Sequence, residues 1–200
     1  MAAESAESRR AIGRLRKTSK RPWDTASGFE RFDAVLEFVL QVSMPSHDLA
    51  MLYPPSEPCR CAVCLNYCTR PGWWTVEEAD RAISLGYGTR MMLEVAPELT
   101  FGVLSPAFKG GETRFALQEY SANKCTFLRD GLCGLFGTGV QPLECRFCHH
   151  DRVGLGPQCH ADIEKDWNTT AGQALVKRWI ETVRFQWSEY YYGLVSRGAR

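Results

Sequence analysis

Two hundred residues, 44% hydrophobic and 12% aromatic, suffice for one globular domain with a real core and leave little room for a second. The net charge of +1 gives no overall basic surface for nucleic acid. No run of eighteen apolar residues occurs, since even FDAVLEFVLQVSM is broken by Asp33 and Glu37, which argues against a membrane span.

Residues 1–22 carry seven Lys or Arg against two Glu, a net of +5 that leaves the remainder near −4. Residues 1–24 therefore read as a disordered basic tail. Contact with nucleic acid or a membrane surface, or organelle targeting, is the competing use of such a tail. The segment has neither the apolar stretch nor the small-residue cleavage site of a secretory signal, so the expected location is the cytoplasm. In that reducing compartment a cysteine-rich region is more often a metal or redox site than a disulfide framework.

From Ser27, with Glu30 three residues on as a capping box, Phe29, Phe32, Leu36 and Val39 recur at helical spacing and predict a helix over about 28–43, stopped by Pro45. Pro54, Pro55 and Pro58 predict irregular chain from residue 47 to the first cysteines. Pro71-Gly72 is a turn signal, followed by Trp73 and Trp74, which read as core aromatics or as a water shield for a nearby centre. Thr75 with Glu78 then predicts a short helix ending at Gly86.

Residues 99–104 and 113–119 flank Gly110-Gly111 and predict a hairpin. The glycines and prolines between Cys125 and Cys159 predict a long loop region. Thr170 and Gln173 open a closing helix over about 171–195, striped by Leu175, Trp179, Val183, Trp187, Tyr190 and Leu194. The expected fold class is α+β, mainly helical: one small domain over 25–200 with a short β-hairpin and long cysteine-bearing loops organised around a metal centre, its core motif over 59–160.

Nine cysteines fall into two groups, Cys59, Cys61, Cys64 and Cys68, then Cys125, Cys133, Cys145, Cys148 and Cys159. Nine is odd, so a full disulfide framework would leave a thiol over. Cys61-Ala-Val-Cys64 and Cys145-Arg-Phe-Cys148 have the C-x2-C form that lets two thiolates grip one ion. A single four-thiolate zinc site would join pairs about eighty residues apart and leave five cysteines over. Iron–sulfur binding suits eight or nine thiols, and Arg60, Arg70, Arg146 and Arg152 would offset the negative charge, although ordinary surface placement explains them as well.

Cys145-Arg-Phe-Cys148-His149 also fits covalent haem attachment, which normally accompanies export. Thiol–disulfide exchange would need a βαβ context that the pattern lacks. Burial as apolar side chains accounts for one or two cysteines but not nine at motif spacing. His149, His150 and His160 each follow a cysteine by one or two positions; singly they suit surface or supporting roles, and together they could complete a mixed Cys/His shell.

CTFLRDGLCGLFGTGVQPLECRFCHH resembles the second half of the YkgJ-like cysteine-cluster family, a zinc- or iron-chelating domain. Cys125, Phe127, Leu128, Gly131, Cys133, Leu135, Phe136, Pro142, Cys145 and Arg146 match its pattern, C-x-F-L-x-x-G-x-C-x-[IL]-[YFH] and then P-x-x-C-R-x-[FY]. In the first half, C-x2-C-x2-C-C, only Cys61 and Cys64 match, with Cys68 near the absent Cys-Cys pair. Either Cys59 supplies the missing ligand or the first group binds through three thiols. The resemblance covers 59–149 and implies Cys61, Cys64, Cys68, Cys125, Cys133, Cys145 and Cys148 as ligands, with no catalytic acid, base or nucleophile. A similar cysteine region occurs in flagellin lysine methylases.

The combined expectation is a metal-binding protein whose nine cysteines hold an iron–sulfur cluster, narrowly preferred, or zinc. Redox chemistry or electron transfer is one use; the alternative is a structural zinc module that presents its terminal helix or basic tail to a protein partner without catalysis.

Overall fold

The computed structural model describes residues 46–95, 101–116 and 121–190, all within one compact unit. The expected helix over 28–43 and the basic tail lie outside them. Among the described residues are α1 (Ser46–Leu52), α2 (Ala62–Tyr67), α3 (Val76–Ser84), β1 (Met91–Val95), β2 (Gly102–Pro106), β3 (Arg114–Ala116), β4 (Leu128–Arg129), β5 (Leu132–Cys133), α4 (Leu143–Phe147), α5 (Gly156–Trp167), α6 (Thr170–Thr182) and β6 (Gln186–Tyr190). The fold is α+β, and no helix among the described residues is long and apolar enough to cross a membrane.

Four strands form one mixed sheet in the order β2-β1-β3-β6. β1 pairs antiparallel with β2, Leu93 facing Leu104, and parallel with β3, Leu93 facing Phe115. The hairpin expected between 99–104 and 113–119 is therefore corrected: both segments supply strands, but β1 inserts between them. Met91, Met92 and Leu93 are all buried, so this strand lacks the alternation that marks a half-exposed one. A separate two-stranded hairpin, β4 with β5, sits inside the expected loop region and pairs Leu128 with Cys133.

The helices also depart from expectation in three places. α1 occupies 46–52, before the prolines take effect at Pro54, and its Leu49 is buried. α5 grows out of the expected loop region, with Pro157 in its first turn, where a missing N–H costs nothing. The closing helix ends at Thr182; the stripe beyond it passes into β6, which pairs parallel with β3. Its cap is Thr169, whose hydroxyl accepts from Gly172 N at 3.1 Å. Gln173 is instead a buried clamp, bonding Gly102 N and O at 3.0 Å each and Trp167 O at 2.8 Å, which ties α6 to β2.

α3 carries the expected capping box of Thr75 and Glu78, and Gly86 leaves the helix at φ 86, a conformation that favours glycine. Three buried tryptophans organise the core, each with its indole N–H satisfied: Trp74 donates to Val140 O at 2.8 Å, Trp167 to Trp74 O at 2.7 Å and Trp179 to Gly88 O at 2.8 Å. Trp73 is also buried, as the core reading of this pair expects.

Candidate metal centre

Glu78 and Glu144 position the cysteine-bearing segments. Beyond its capping role, Glu78 accepts from Leu143 N at 3.0 Å and pairs with Arg146, so one carboxylate fixes α4 against the start of α3. Glu144, on α4, accepts from Arg70 at 2.9 Å and from Trp73 N at 2.8 Å, and lies 3.2 Å from His160 Nδ1. Burial alone would push this carboxyl up, but the hydrogen bond from His160 and the charge of Arg70 outweigh it and hold the carboxyl below its usual range. Residues 70–73 are thereby locked onto α4. They approach so closely that a Cβ on Gly72 would lie 2.8 Å from Cys145 N and 2.8 Å from the Glu144 Cβ.

The segment before Cys59 is fastened to the same helix. Ser56 N donates to Arg146 O at 2.7 Å, Ser56 Oγ to Phe147 O at 3.0 Å, and Arg152 to Pro54 O at 2.6 Å. These bonds carry Cys59 across to the turn at 149–152. Four side chains meet there: one ligand atom from each of Cys59, Cys64, His149 and His150 lies within 4.8 Å of the others. The His150 Nδ1 is 3.5 Å from Cys59 Sγ and 3.6 Å from Cys64 Sγ.

His149 is only 9% exposed, and its Nδ1 lies 2.6 Å from Asp151 Oδ1. A ring nitrogen engaged by a carboxylate fixes the imidazole's orientation and leaves Nε2 for a ligand, the usual support of a metal-binding histidine. That hydrogen bond in turn holds the Asp151 carboxyl below its usual range. Cys61, exposed, caps α2, its sulfur accepting from Cys64 N at 3.5 Å; its own N–H donates to Cys59 Sγ at 3.4 Å. The N–H bond from Cys64 favours the Cys61 thiolate, whereas burial pushes Cys64 up to about 12.

Cys59, Cys64 and His149 line a cavity of about 610 Å³ whose wall also includes Cys68, Cys125, Cys133, Cys145 and Cys148. Burial, and after it the charges of Cys133, Cys125 and Cys68, push the Cys145 thiol well above its usual range. Burial raises Cys68 to about 11 and Cys148 to about 12. Cys159 is fully buried in α5 and is not part of the cavity wall. His160 packs on Trp73 with ring centroids 4.0 Å apart and serves Glu144, not the four-donor group.

Sequence reasoning gave His149 and His150 the lesser role, because a C-x2-C-H-H run does not show which nitrogen faces which thiol. Of the four arginines expected to offset thiolate charge, Arg70 and Arg152 act on Cys148, while Arg146 is engaged by Glu78. The chain matches no protein-family model, no curated protein and no solved structure.

Proposed function

We propose that this is a metal-binding protein in which Cys59, Cys64, His149 and His150 hold one tetrahedral ion, zinc by the nature of the donors. The spacing around His150 Nδ1 carries the reading. With Zn–S near 2.3 Å and Zn–N near 2.05 Å at tetrahedral angles, a sulfur and a nitrogen on one ion stand about 3.6 Å apart. The two distances here are 3.5 and 3.6 Å. Ligands on separate irons of a cluster would stand further apart. The likeness of 59–149 to the YkgJ-like cysteine-cluster family supports metal binding without choosing the metal.

The role is structural. Cys59 precedes α2 and His150 lies in the turn after α4, so an ion held by both would close a loop of about ninety residues and contribute folding free energy directly. Such a fastened module suits presentation of a surface to a protein partner; electron transfer would have to draw on the other thiols. Metal analysis of the purified chain tests the reading. The expected result is one zinc per chain, lost in both His150→Ala and Cys64→Ser, with a lower melting temperature on chelation. Zinc kept at full stoichiometry by both variants would overturn the assignment.

A further inference from the structure

We infer that Cys61 is an oxidation site: a peroxide converts its exposed thiol into a Cys61–Cys64 disulfide, which withdraws one donor from the mixed Cys/His group. The loss of metal rests on the four-donor reading above; formation of the disulfide does not.

All nine cysteines are described, and Cys61 alone is exposed. Its neighbours Arg60, Ala62 and Val63 are exposed too, so a small oxidant reaches the sulfur directly from solvent. Cys61 is neither one of the four grouped donors nor part of the cavity wall. An ion held by Cys59, Cys64, His149 and His150 therefore leaves its thiol unengaged.

Helix capping fixes the resolving partner. Cys61 is the N-cap of α2 and Cys64 is the third residue of that helix. A capping side chain lies over the N–H of the third residue, and Cys61 Sγ accepts from Cys64 N at 3.5 Å. The two thiols also hydrogen-bond with each other. Cys59 Sγ lies 3.4 Å from Cys61 N, but with one residue between them a Cys59–Cys61 bridge would be strained. Cys64 is half-buried and faces the metal side, its Sγ 3.6 Å from His150 Nδ1. An accessible thiol beside a second, sheltered one is the arrangement in which an oxidised cysteine is captured by its neighbour.

A peroxide is the one co-reactant required. The Cys61 sulfur attacks hydrogen peroxide: an S–O bond forms, the O–O bond breaks, and the departing hydroxide takes the thiol proton as water, leaving a sulfenic acid. The Cys64 thiolate then leaves the ion and attacks that sulfur, so that the S–S bond forms, the S–O bond breaks and hydroxide departs. In sum the two sulfurs lose two electrons, and one peroxide becomes one water and one hydroxide. A disulfide sulfur lacks the charge with which a thiolate holds a metal, so the ion keeps only Cys59, His149 and His150.

Hydrogen peroxide added to the zinc-loaded full chain tests the proposal, read by zinc release to a chromophoric chelator and by peptide mapping of the disulfide after alkylation. Wild type should release its zinc, show the Cys61–Cys64 disulfide and take zinc back after reduction with a dithiol. Cys61→Ser keeps a capping acceptor, since serine is among the preferred N-caps, and should bind zinc as wild type does but lose the peroxide-driven release. Release from Cys61→Ser at the wild-type rate, oxidised wild type without the disulfide, or a Cys61→Ser chain that holds no zinc before oxidation would each overturn the inference. Mapping the peroxide-treated metal-free wild type separates the two readings. A chain that never binds zinc sinks the four-donor group, while the presence or absence of the Cys61–Cys64 disulfide still decides this proposal.

Discussion

Glu144 is the carboxylate on which residues 70–73 depend, and replacing it should show how much of the framework around the cysteines rests on one side chain. Glu144→Ala strips partners from the Arg70 guanidinium, the buried Trp73 N–H and His160. Removing one member of a buried ion pair costs about 3–5 kcal/mol, much of it from the polar groups left behind. Two to four degrees of melting temperature per kcal/mol in a domain of this size gives a fall of roughly 6–20 °C. Glu144→Gln keeps an acceptor for Trp73 N but loses the charge, and should cost about 1–3 kcal/mol.

The sign of the pH effect follows from the direction of the shift. Glu144 titrates lower when folded than when unfolded, so its contribution is complete above the unfolded carboxylate value, near 4.3, and is lost as pH falls through the folded one. Denaturant unfolding of wild type and Glu144→Gln at a series of pH values measures the gap between them, in which acid release of a common metal cancels. The gap should be constant from pH 7 to about 5 and shrink below. An alanine variant within about 1 kcal/mol of wild type, or a gap unchanged down to pH 3, would refute the role assigned to Glu144.

Two further outcomes concern the mixed shell. Asp151→Ala removes the carboxylate that orients His149 and should weaken zinc binding about 10- to 100-fold with little change in fold, read by competition with a chromophoric chelator. Because Cys64 is held as a thiol at neutral pH, binding must expel its proton; affinity should rise about tenfold per pH unit for each proton released, read by titration calorimetry in two buffers of different ionisation enthalpy.

The parts of this molecule legible in its sequence are those written in local chemistry. The Thr75/Glu78 box and Gly86 bound α3 because capping and left-handed backbone are decided within a few residues. The cysteine spacing pointed to a candidate metal site for the same reason, and two of the nine, Cys59 and Cys64, lie in the donor group with His149 and His150. β1 was not legible, since its consecutive buried residues Met91, Met92 and Leu93 carry no alternation, and the end of α6 was missed because an apolar stripe continues across the change from helix to strand. Nor could spacing show that Cys61 turns to cap α2 while Cys59 joins Cys64 and the two histidines. That division depends on Ser56 and Arg152 stitching the proline segment to α4 and the turn after it, contacts about ninety residues apart in sequence. Gln173 illustrates the same limit: its place in sequence suggested a cap, and tertiary packing made it a clamp on β2.

X-ray absorption at the zinc edge of the purified full-length chain tests the central claim most directly. The account predicts a four-coordinate ion with two sulfurs near 2.3 Å and two imidazole nitrogens near 2.0–2.1 Å. A shell of four sulfurs without nitrogen, or no bound zinc, would contradict it.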